Sequence, residues 1–155
     1  MEMTKRDALL IVDMQKDFLP GGTLAVSSGD QIIPLVNLIQ SKFDFIVASQ
    51  DFHPADHKSF AANNPGRKVG DIIDLNGLNQ FLWPVHCVQG TDGADFSKAL
   101  IQENWNKIFQ KGMNPEVDSY SGFFDNAKRG DTGLSKFLKD NQIERVFICG
   151  LALDY

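Results

Sequence analysis

The chain has 155 residues, of which 43% are hydrophobic and 23% charged, and its formal net charge is −5. This length suits one domain with its own core, and an acidic chain without a block of basic residues gives no reason to expect a nucleic-acid partner. No apolar stretch approaches the roughly 18 residues that suggest a membrane span. We therefore expect a single domain over residues 1–155 that binds a small molecule and neither nucleic acid nor membrane.

The cysteine content and the N-terminus indicate a cellular setting. Two cysteines are too few for a disulfide framework, and Cys149 lies inside an apolar run. Residues 1–7 lead directly into the first apolar run, which leaves no room for a signal peptide. We expect a reducing, cytoplasmic location. Whether the protein forms a homo-oligomer is left open by the sequence.

Four apolar runs predict the strands of one sheet, at residues 8–12, 43–48, 107–109 and 146–149. Helical spacing of apolar residues over 30–41 and 133–141, and a helix-like segment over 97–106, alternate with these runs. This alternation predicts an α/β fold with three αβα layers around a central parallel sheet. The interval from residue 51 to 96 is rich in Gly, Pro, Asn and Asp, and we interpret it as a long functional loop.

The end of the sequence follows a run that is typical of a central strand. Parallel strands are normally covered by helices on both faces, but only five residues follow Gly150. We therefore expect that these 155 residues are the front part of a longer polypeptide and lack its C-terminal helices and strand.

Asp13 and Lys111 follow the first and third of the predicted strands. In open α/β sheets the carboxyl ends of the strands form the edge where ligands bind. Alone, Asp13 has an equally good interpretation as a helix cap, and Lys111 as a solvent-facing side chain. Together they predict a carboxylate base beside an ammonium group that keeps it ionised or stabilises developing negative charge.

A metal site is predicted from Asp51, His53 and His86. On an extended backbone, residues i and i+2 point to the same side, so Asp51 and His53 can reach one ion. One carboxylate and two imidazoles suit Zn²⁺, Mn²⁺ or Fe²⁺. An isolated Asp-x-His is more often an ordinary surface feature. His57 is a possible fourth ligand, but because it has charged neighbours on both sides we favour its interpretation as a solvated loop residue.

Aromatic residues are concentrated in the predicted loops. They either cover the core or line a site in which they would sandwich a flat ring. These residues are Phe18, Trp83, Tyr120, Phe123 and Phe124.

Short motifs occur in a fixed order along the whole chain. They are Asp13-Met14-Gln15-Lys16-Asp17-Phe18, Pro20-Gly21-Gly22, Asp51-Phe52-His53-Pro54, residues 83–91, Lys111-Gly112, residues 118–123 and residues 150–155. A set of ordered motifs is far more specific than any single one. This set resembles that of the nicotinamidases, which belong to the isochorismatase-like cysteine hydrolases, and the resemblance runs from residue 7 to the last residue.

This resemblance implies roles for residues at the predicted edge of the sheet. Asp13 is implied to be the base and Lys111 the lysine of a catalytic triad. Ala152 is implied to follow a cis peptide bond from Leu151 and to donate its backbone N–H to an oxyanion hole.

The resemblance also implies a cofactor and a ligand. Asp51, His53 and His86 are implied to hold one divalent cation, usually Zn²⁺, with Fe²⁺ or Mn²⁺ as alternatives, that binds the pyridine nitrogen of nicotinamide. The residues implied to line the ring pocket are Phe18, Trp83 and Tyr120.

The implied activity is hydrolysis of nicotinamide or pyrazinamide to the acid and ammonia through a cysteine thioester, which serves NAD salvage. The family nucleophile is implied to follow directly after Tyr155, and neither Cys87 nor Cys149 is expected to replace it. One alternative keeps the fold but hydrolyses isochorismate or an N-carbamoyl amide without a metal. Another is a catalytically silent homologue that binds a metal or a ligand.

Overall fold

The computed structural model describes residues 3–155. It contains a parallel sheet with strand order β5-β2-β1-β6 and a separate antiparallel pair, β3 and β4. The predicted strands and the α/β class are confirmed. In chain order, the elements are β1 (Asp7–Val12), α1 (Ile33–Gln40), β2 (Phe45–Asp51), β3 (Ile72–Leu75), β4 (Leu78–Phe81), β5 (Lys107–Lys111), α2 (Leu134–Asp140) and β6 (Arg145–Gly150).

Strand β1 shows how the three layers form. Leu9 and Ile11 on one face pack in a cluster with Val36 of α1. Leu10 on the other face packs in a second cluster with Leu134 of α2. Side chains alternate between the two faces of a strand, so an uninterrupted apolar run is buried on both sides. The predicted αβα arrangement is therefore confirmed.

Both α-helices are short. Helix α1 has eight residues, with a proline in its first turn. Backbone N–H groups in the first turn make no hydrogen bond within the helix, so proline costs none there. Helix α2 has seven residues and follows Gly133, whose φ of 83° lies in the left-handed region. Across residues 3–155, no helix has the length and apolar character needed to cross a membrane.

The helix predicted over residues 97–106 is wrong, because this segment forms turns. The backbone N–H of Asn106 donates to the carbonyl of Ile46, and its side-chain oxygen accepts from the N–H of Ile46. Trp105 donates its indole N–H to Gln40 of α1 and packs against Phe96. These long-range contacts hold the segment against β2 and α1, and they outweigh a weak local helical pattern.

The long loop predicted from residue 51 to 96 contains a β-hairpin. Strands β3 and β4 pair with Leu75 opposite Leu78, and Asn76 and Gly77 form the turn with φ values of 54° and 85°. Positive φ at both central residues is the backbone of a type I′ turn, for which Asn-Gly is the preferred sequence. The sequence therefore carried a signal for this hairpin that the loop interpretation missed.

The register of the sheet brings four chain segments to one edge. Asp51 pairs with Lys111, and Val12 pairs with both Ser49 and Gly150. A Cβ atom on Gly150 would lie 2.6 Å from the backbone nitrogen of Val12, so only glycine allows this approach. The residues that follow these strand ends are consequently near neighbours.

Candidate active site

Asp13 turns the chain away from the sheet directly after β1. Its φ is 51°, and its N–H donates to the carbonyl of Ser49. The Ser49 hydroxyl donates to Oδ1 at 3.0 Å, and the Lys111 amine lies 3.1 Å from Oδ2. The carboxylate is buried, so both of its oxygens are held by protein groups rather than by bulk water.

Lys111 is shared between two carboxylates. Its amine also lies 2.9 Å from Oδ1 of Asp51. Burial raises the pKa of Asp13, and the nearby negative charge of Asp51 raises it further. The positive charge of Lys111 lowers the pKa, but the two other effects outweigh it. Burial acts on Asp51 as well, but the charges of Lys111 and His53 outweigh it and hold its pKa well below the usual range. Burial would lower the pKa of Lys111, but the two carboxylates raise it, so the amine stays protonated.

Three side chains form a group suited to a divalent cation. Oδ2 of Asp51 lies 3.3 Å from Nε2 of His53 and 3.5 Å from Nε2 of His86. Nδ1 of each histidine faces a backbone carbonyl, of Gly112 at 2.9 Å and of Pro84 at 2.8 Å. A carbonyl only accepts, so Nδ1 of each ring carries a proton and Nε2 is the nitrogen that faces the carboxylate. This donor set fits a transition-metal ion.

The electrostatics of His53 reflect this carboxylate neighbour. Burial alone would lower the pKa of His53, but the charge and hydrogen bond of Asp51 outweigh it and raise the pKa. A metal ion at Nε2 would therefore have to displace a proton that Asp51 helps to hold.

The prediction that His57 is a solvated loop residue is wrong. Its ring is fully buried, with the centroid 4.5 Å from that of His53. Nδ1 is hydrogen-bonded to the Ser59 hydroxyl at 2.7 Å. Nε2 is the one buried side-chain nitrogen or oxygen in residues 3–155 that lacks a hydrogen-bond partner. Burial lowers the pKa of His57 to about 4, so the ring is neutral near pH 7.

Asp118 is a buried carboxylate at the site to which sequence reasoning gave no role. Oδ2 accepts from the Gln80 side chain at 3.0 Å, and Oδ1 accepts from the N–H of Ser119. Ligand atoms of Asp118, His53 and His57 lie within 4.8 Å of one another. Asp118 lies in the motif over residues 118–123, but the sequence pattern assigns it no role because Gln80 and the two histidines come from distant segments.

A cavity of about 240 Å³ opens beside these groups. The rings of Trp83 and Tyr120 meet edge to face with centroids 6.3 Å apart, and Phe18 contacts His86 in the same way at 5.8 Å. The lining residues are Asp13, Phe18, Leu24, Ala25, Val26, Asp51, Trp83, His86, Lys111, Asp118, Tyr120, Ala152, Asp154 and Tyr155.

The other two loop aromatics lie elsewhere. Phe124 is exposed, and Phe123 packs against the cluster beneath α2.

Ala152 borders the cavity, but the implied cis bond before it is wrong. Every peptide bond within residues 3–155 is trans, including the one from Leu151. The N–H of Leu151 donates to the carbonyl of Val12 at 2.9 Å, which extends the pairing of the strands. The chain then turns at Ala152 itself, whose φ is 51°. A left-handed residue therefore makes the bend for which the family resemblance implied a cis peptide.

Neither cysteine borders the cavity. Cys87 is fully buried, and burial together with nearby carboxylates raises the pKa of its thiol. Burial raises the pKa of Cys149 to about 11. Both thiols are therefore neutral near pH 7 and poorly suited to act as nucleophiles.

Comparison with known proteins gives a consistent result. The family model of the isochorismatase domain matches residues 7–155. A nicotinamidase of Acinetobacter baylyi is 44% identical over 155 residues, which are all of this chain and 72% of that protein. The structure of a nicotinamidase and pyrazinamidase of Acinetobacter baumanii is 41% identical, with a TM-score of 0.95 over 99% of this chain and 74% of that one.

A second similar structure contains a metal. The pyrazinamidase of Pyrococcus horikoshii in complex with zinc is 39% identical, with a TM-score of 0.74 over 97% of this chain and 73% of that one. The parallel sheet places buried acid, lysine and histidine side chains at its carboxyl edge, which is where open α/β sheets bind their ligands. The chain belongs to the isochorismatase domain family.

Proposed function

We propose that this chain forms the active site of an amidohydrolase that converts nicotinamide, and also pyrazinamide, to the carboxylic acid and ammonia, as a step of NAD salvage. The observation that carries the proposal is one small, partly aromatic cavity bordered by Asp13, Lys111, Asp51 and His86. The relatives described above are all named as nicotinamidases or pyrazinamidases, which supports a small aromatic amide as the substrate.

Asp13 is proposed as the catalytic base. Its carboxylate borders the cavity, and burial raises its pKa, which suits a group that takes up and later returns a proton near neutral pH. Lys111 favours the ionised form before the reaction starts, since its amine is 3.1 Å away. The hydroxyl of Ser49 donates to the other carboxylate oxygen, Oδ1, so that Oδ2 pairs with Lys111.

Asp51, His53 and His86 are proposed to hold one divalent cation, with Zn²⁺ as the first choice and Fe²⁺ or Mn²⁺ as alternatives. The direction of Nε2 of both histidines toward the Asp51 carboxylate supports this assignment. When bound, the cation would supply a Lewis acid for the pyridine nitrogen of the substrate.

The aromatic residues and Ala152 are proposed to orient the substrate. Phe18, Trp83 and Tyr120 would enclose the flat ring, which is an arrangement that aromatic side chains favour. The backbone N–H of Ala152 would donate to the carboxamide oxygen as negative charge develops on it. All four residues border the same cavity as Asp13.

The nucleophile is proposed to be the cysteine that the family resemblance places directly after Tyr155. Asp13 would take the thiol proton, and sulfur would bond to the carboxamide carbon. The carbon–nitrogen bond would then break, and ammonia would leave with the proton held by Asp13. Water would cleave the thioester, with Asp13 again acting as base, and release the acid and the thiol.

Ammonia release by the zinc-loaded natural gene product tests the proposal. We expect stoichiometric ammonia and nicotinate from nicotinamide, and a loss of about 10²- to 10⁴-fold in rate for Asp13→Asn. Metal analysis separates the alternatives, because relatives that act on isochorismate or N-carbamoyl amides are expected to bind no metal at this position. A metal-loaded protein that releases no ammonia from nicotinamide or pyrazinamide would overturn the proposal.

A further inference from the structure

The strand pairing beside Asp51 is completed by a side chain. Strand β1 pairs with β2 only as far as Val12 and Ser49, and Asp13 then turns away. The backbone N–H and C=O of Asp51, which face the side of β1, would therefore have no hydrogen-bond partner in that strand. Gln15 supplies both: its Oε1 accepts from the N–H of Asp51 at 2.7 Å, and its Nε2 donates to the carbonyl of Asp51 at 2.7 Å.

Gln15 is itself tightly held. Its side chain is fully buried, and Nε2 also donates to the carbonyl of Ala94 at 2.8 Å. An amide side chain offers the same donor and acceptor as a peptide group, so Gln15 replaces the strand residue that β1 no longer provides. The backbone of Asp51, and with it the direction of its carboxylate, is fixed from both sides.

Asp17 makes a similar contact with the segment that carries His86. Its Oδ2 accepts from the N–H of Cys87 at 2.7 Å, where Cys87 has a φ of 46°. The turn that contains Gly93 packs closely on the same carboxylate, since a Cβ there would lie 2.6 Å from Oδ1 of Asp17. The left-handed bend directly after His86 is therefore stabilised by a charge-assisted hydrogen bond.

We propose that Gln15 and Asp17 are positioning residues that set the separation of Asp51 from His86 and thereby determine metal affinity. The inference rests on the proposed metal centre. The two residues lie in one short turn after β1, so one rigid piece of chain contacts the backbones of both segments. Transition-metal sites require ligand distances within about 0.2 Å of their preferred values, and outer partners of ligands commonly change affinity by about 10- to 100-fold.

The first test compares Gln15→Met with Gln50→Met. Gln50 is a matched control because it is also buried, precedes Asp51 directly, and donates to the same Ala94 carbonyl at 2.9 Å, but its side chain makes no hydrogen bond to Asp51. Zn²⁺ affinity is measured by competition with a chromophoric chelator. Co²⁺ absorption reports ligand geometry, and thermal unfolding without metal reports stability.

We expect Gln15→Met to weaken Zn²⁺ binding by about 10- to 100-fold and to change the Co²⁺ spectrum, while Gln50→Met alters stability and leaves both metal readouts close to the wild type. Equal Zn²⁺ affinities for the two variants would overturn the inference while leaving the proposed metal centre in place. A wild-type protein that binds neither ion would overturn both.

Asp17 provides a second test if Gln15→Met fails to fold, because its side chain is only partly buried. Asp17→Asn keeps an oxygen acceptor for the N–H of Cys87 and is expected to retain most of the Zn²⁺ affinity. Asp17→Ala removes the acceptor and is expected to show a loss of the same order as Gln15→Met. Indistinguishable Zn²⁺ affinities for Asp17→Ala and Asp17→Asn would overturn the role of Asp17.

Discussion

The amine of Lys111 lies 2.9 Å from Oδ1 of Asp51, its register partner across β2 and β5. The same amine lies 3.1 Å from Asp13. One buried cation therefore joins the proposed catalytic base to a proposed metal ligand. The two halves of the candidate site are electrostatically linked before any ligand enters.

Lys111→Met is expected to destabilise the protein strongly. Removing one member of a buried ion pair leaves uncompensated charge and costs about 3–5 kcal/mol. The loss in free energy of unfolding, measured by urea denaturation, should be larger at pH 8 than at pH 5, because the raised pKa of Asp13 lets it become neutral as the pH falls. Lys136→Met is the control, since its ion pair with Asp140 is exposed and worth only about 0.5 kcal/mol. Equal losses for the two variants would contradict the shared role of Lys111.

Gly112→Ala is expected to disturb His53 directly. Gly112 has a φ of 68°, and a Cβ there would lie 2.6 Å from Nδ1 of His53. Gly66→Ala is a matched control, because Gly66 has a φ of 78° and no atom within 4 Å of the added carbon. Both variants carry backbone strain, but only Gly112→Ala should add an overpacking cost of about 1–3 kcal/mol and weaken Zn²⁺ binding. Calorimetric titration with Zn²⁺ and urea unfolding measure the two effects, and matching values for both variants would refute the expected overlap.

The two buried histidines are expected to give opposite pH dependences of stability without metal. The pKa of His53 is raised in the folded protein. Its contribution to the free energy of unfolding is therefore fully present below the pKa of about 6.5 in the unfolded chain, and is lost as the pH rises through the folded pKa. The pKa of His57 is lowered to about 4, so its contribution is present above about 6.5 and is lost as the pH falls toward 4.

Unfolding free energies of His53→Gln and His57→Gln measured from pH 4 to 9 test this contrast. The difference from wild type should shrink with rising pH for His53→Gln and grow with rising pH for His57→Gln. Parallel pH profiles would show that the assigned environments are wrong.

Zn²⁺ affinity of the wild type should increase as the pH rises, because His53 must lose its proton to bind a metal.

Trp83→Leu is expected to weaken nicotinamide binding. An aromatic contact contributes roughly 0.5–1.5 kcal/mol beyond the area it buries, which corresponds to an increase in Kd of about 2- to 13-fold. Tyr120→Phe is the comparison, because it keeps the ring and removes only the hydroxyl that lies 3.4 Å from the Trp83 indole nitrogen. Quenching of protein fluorescence by nicotinamide measures both variants. An unchanged Kd for Trp83→Leu would place the substrate elsewhere.

The strands and the gathering of polar residues at one sheet edge were predictable because both follow from local pattern and parallel geometry. Asp13 and Lys111 each lie at a strand end, and in this fold such ends meet. His57 was misinterpreted because exposure was inferred from its charged neighbours in sequence, whereas its ring packs beside His53.

Other features depend on contacts between distant segments. Gln15 is separated from Asp51 by 36 positions, and Asp118 from Gln80 by 38. Gln15 and Asp118 both lie in motifs of the family resemblance, but no local pattern shows which distant groups they contact. The turn at Ala152 likewise follows from the way the end of β6 meets β1.

The proposed ligands lie far apart in the chain, with Asp51 at the end of β2 and His86 in the segment between β4 and β5, and this separation affects when a cation could be captured. A growing polypeptide has no complete ligand set until His86 has emerged and been placed beside Asp51. Capture of the proposed cation would therefore require that the loop carrying His86 has folded against the end of β2, and metal occupancy is expected to report how many molecules have reached that state.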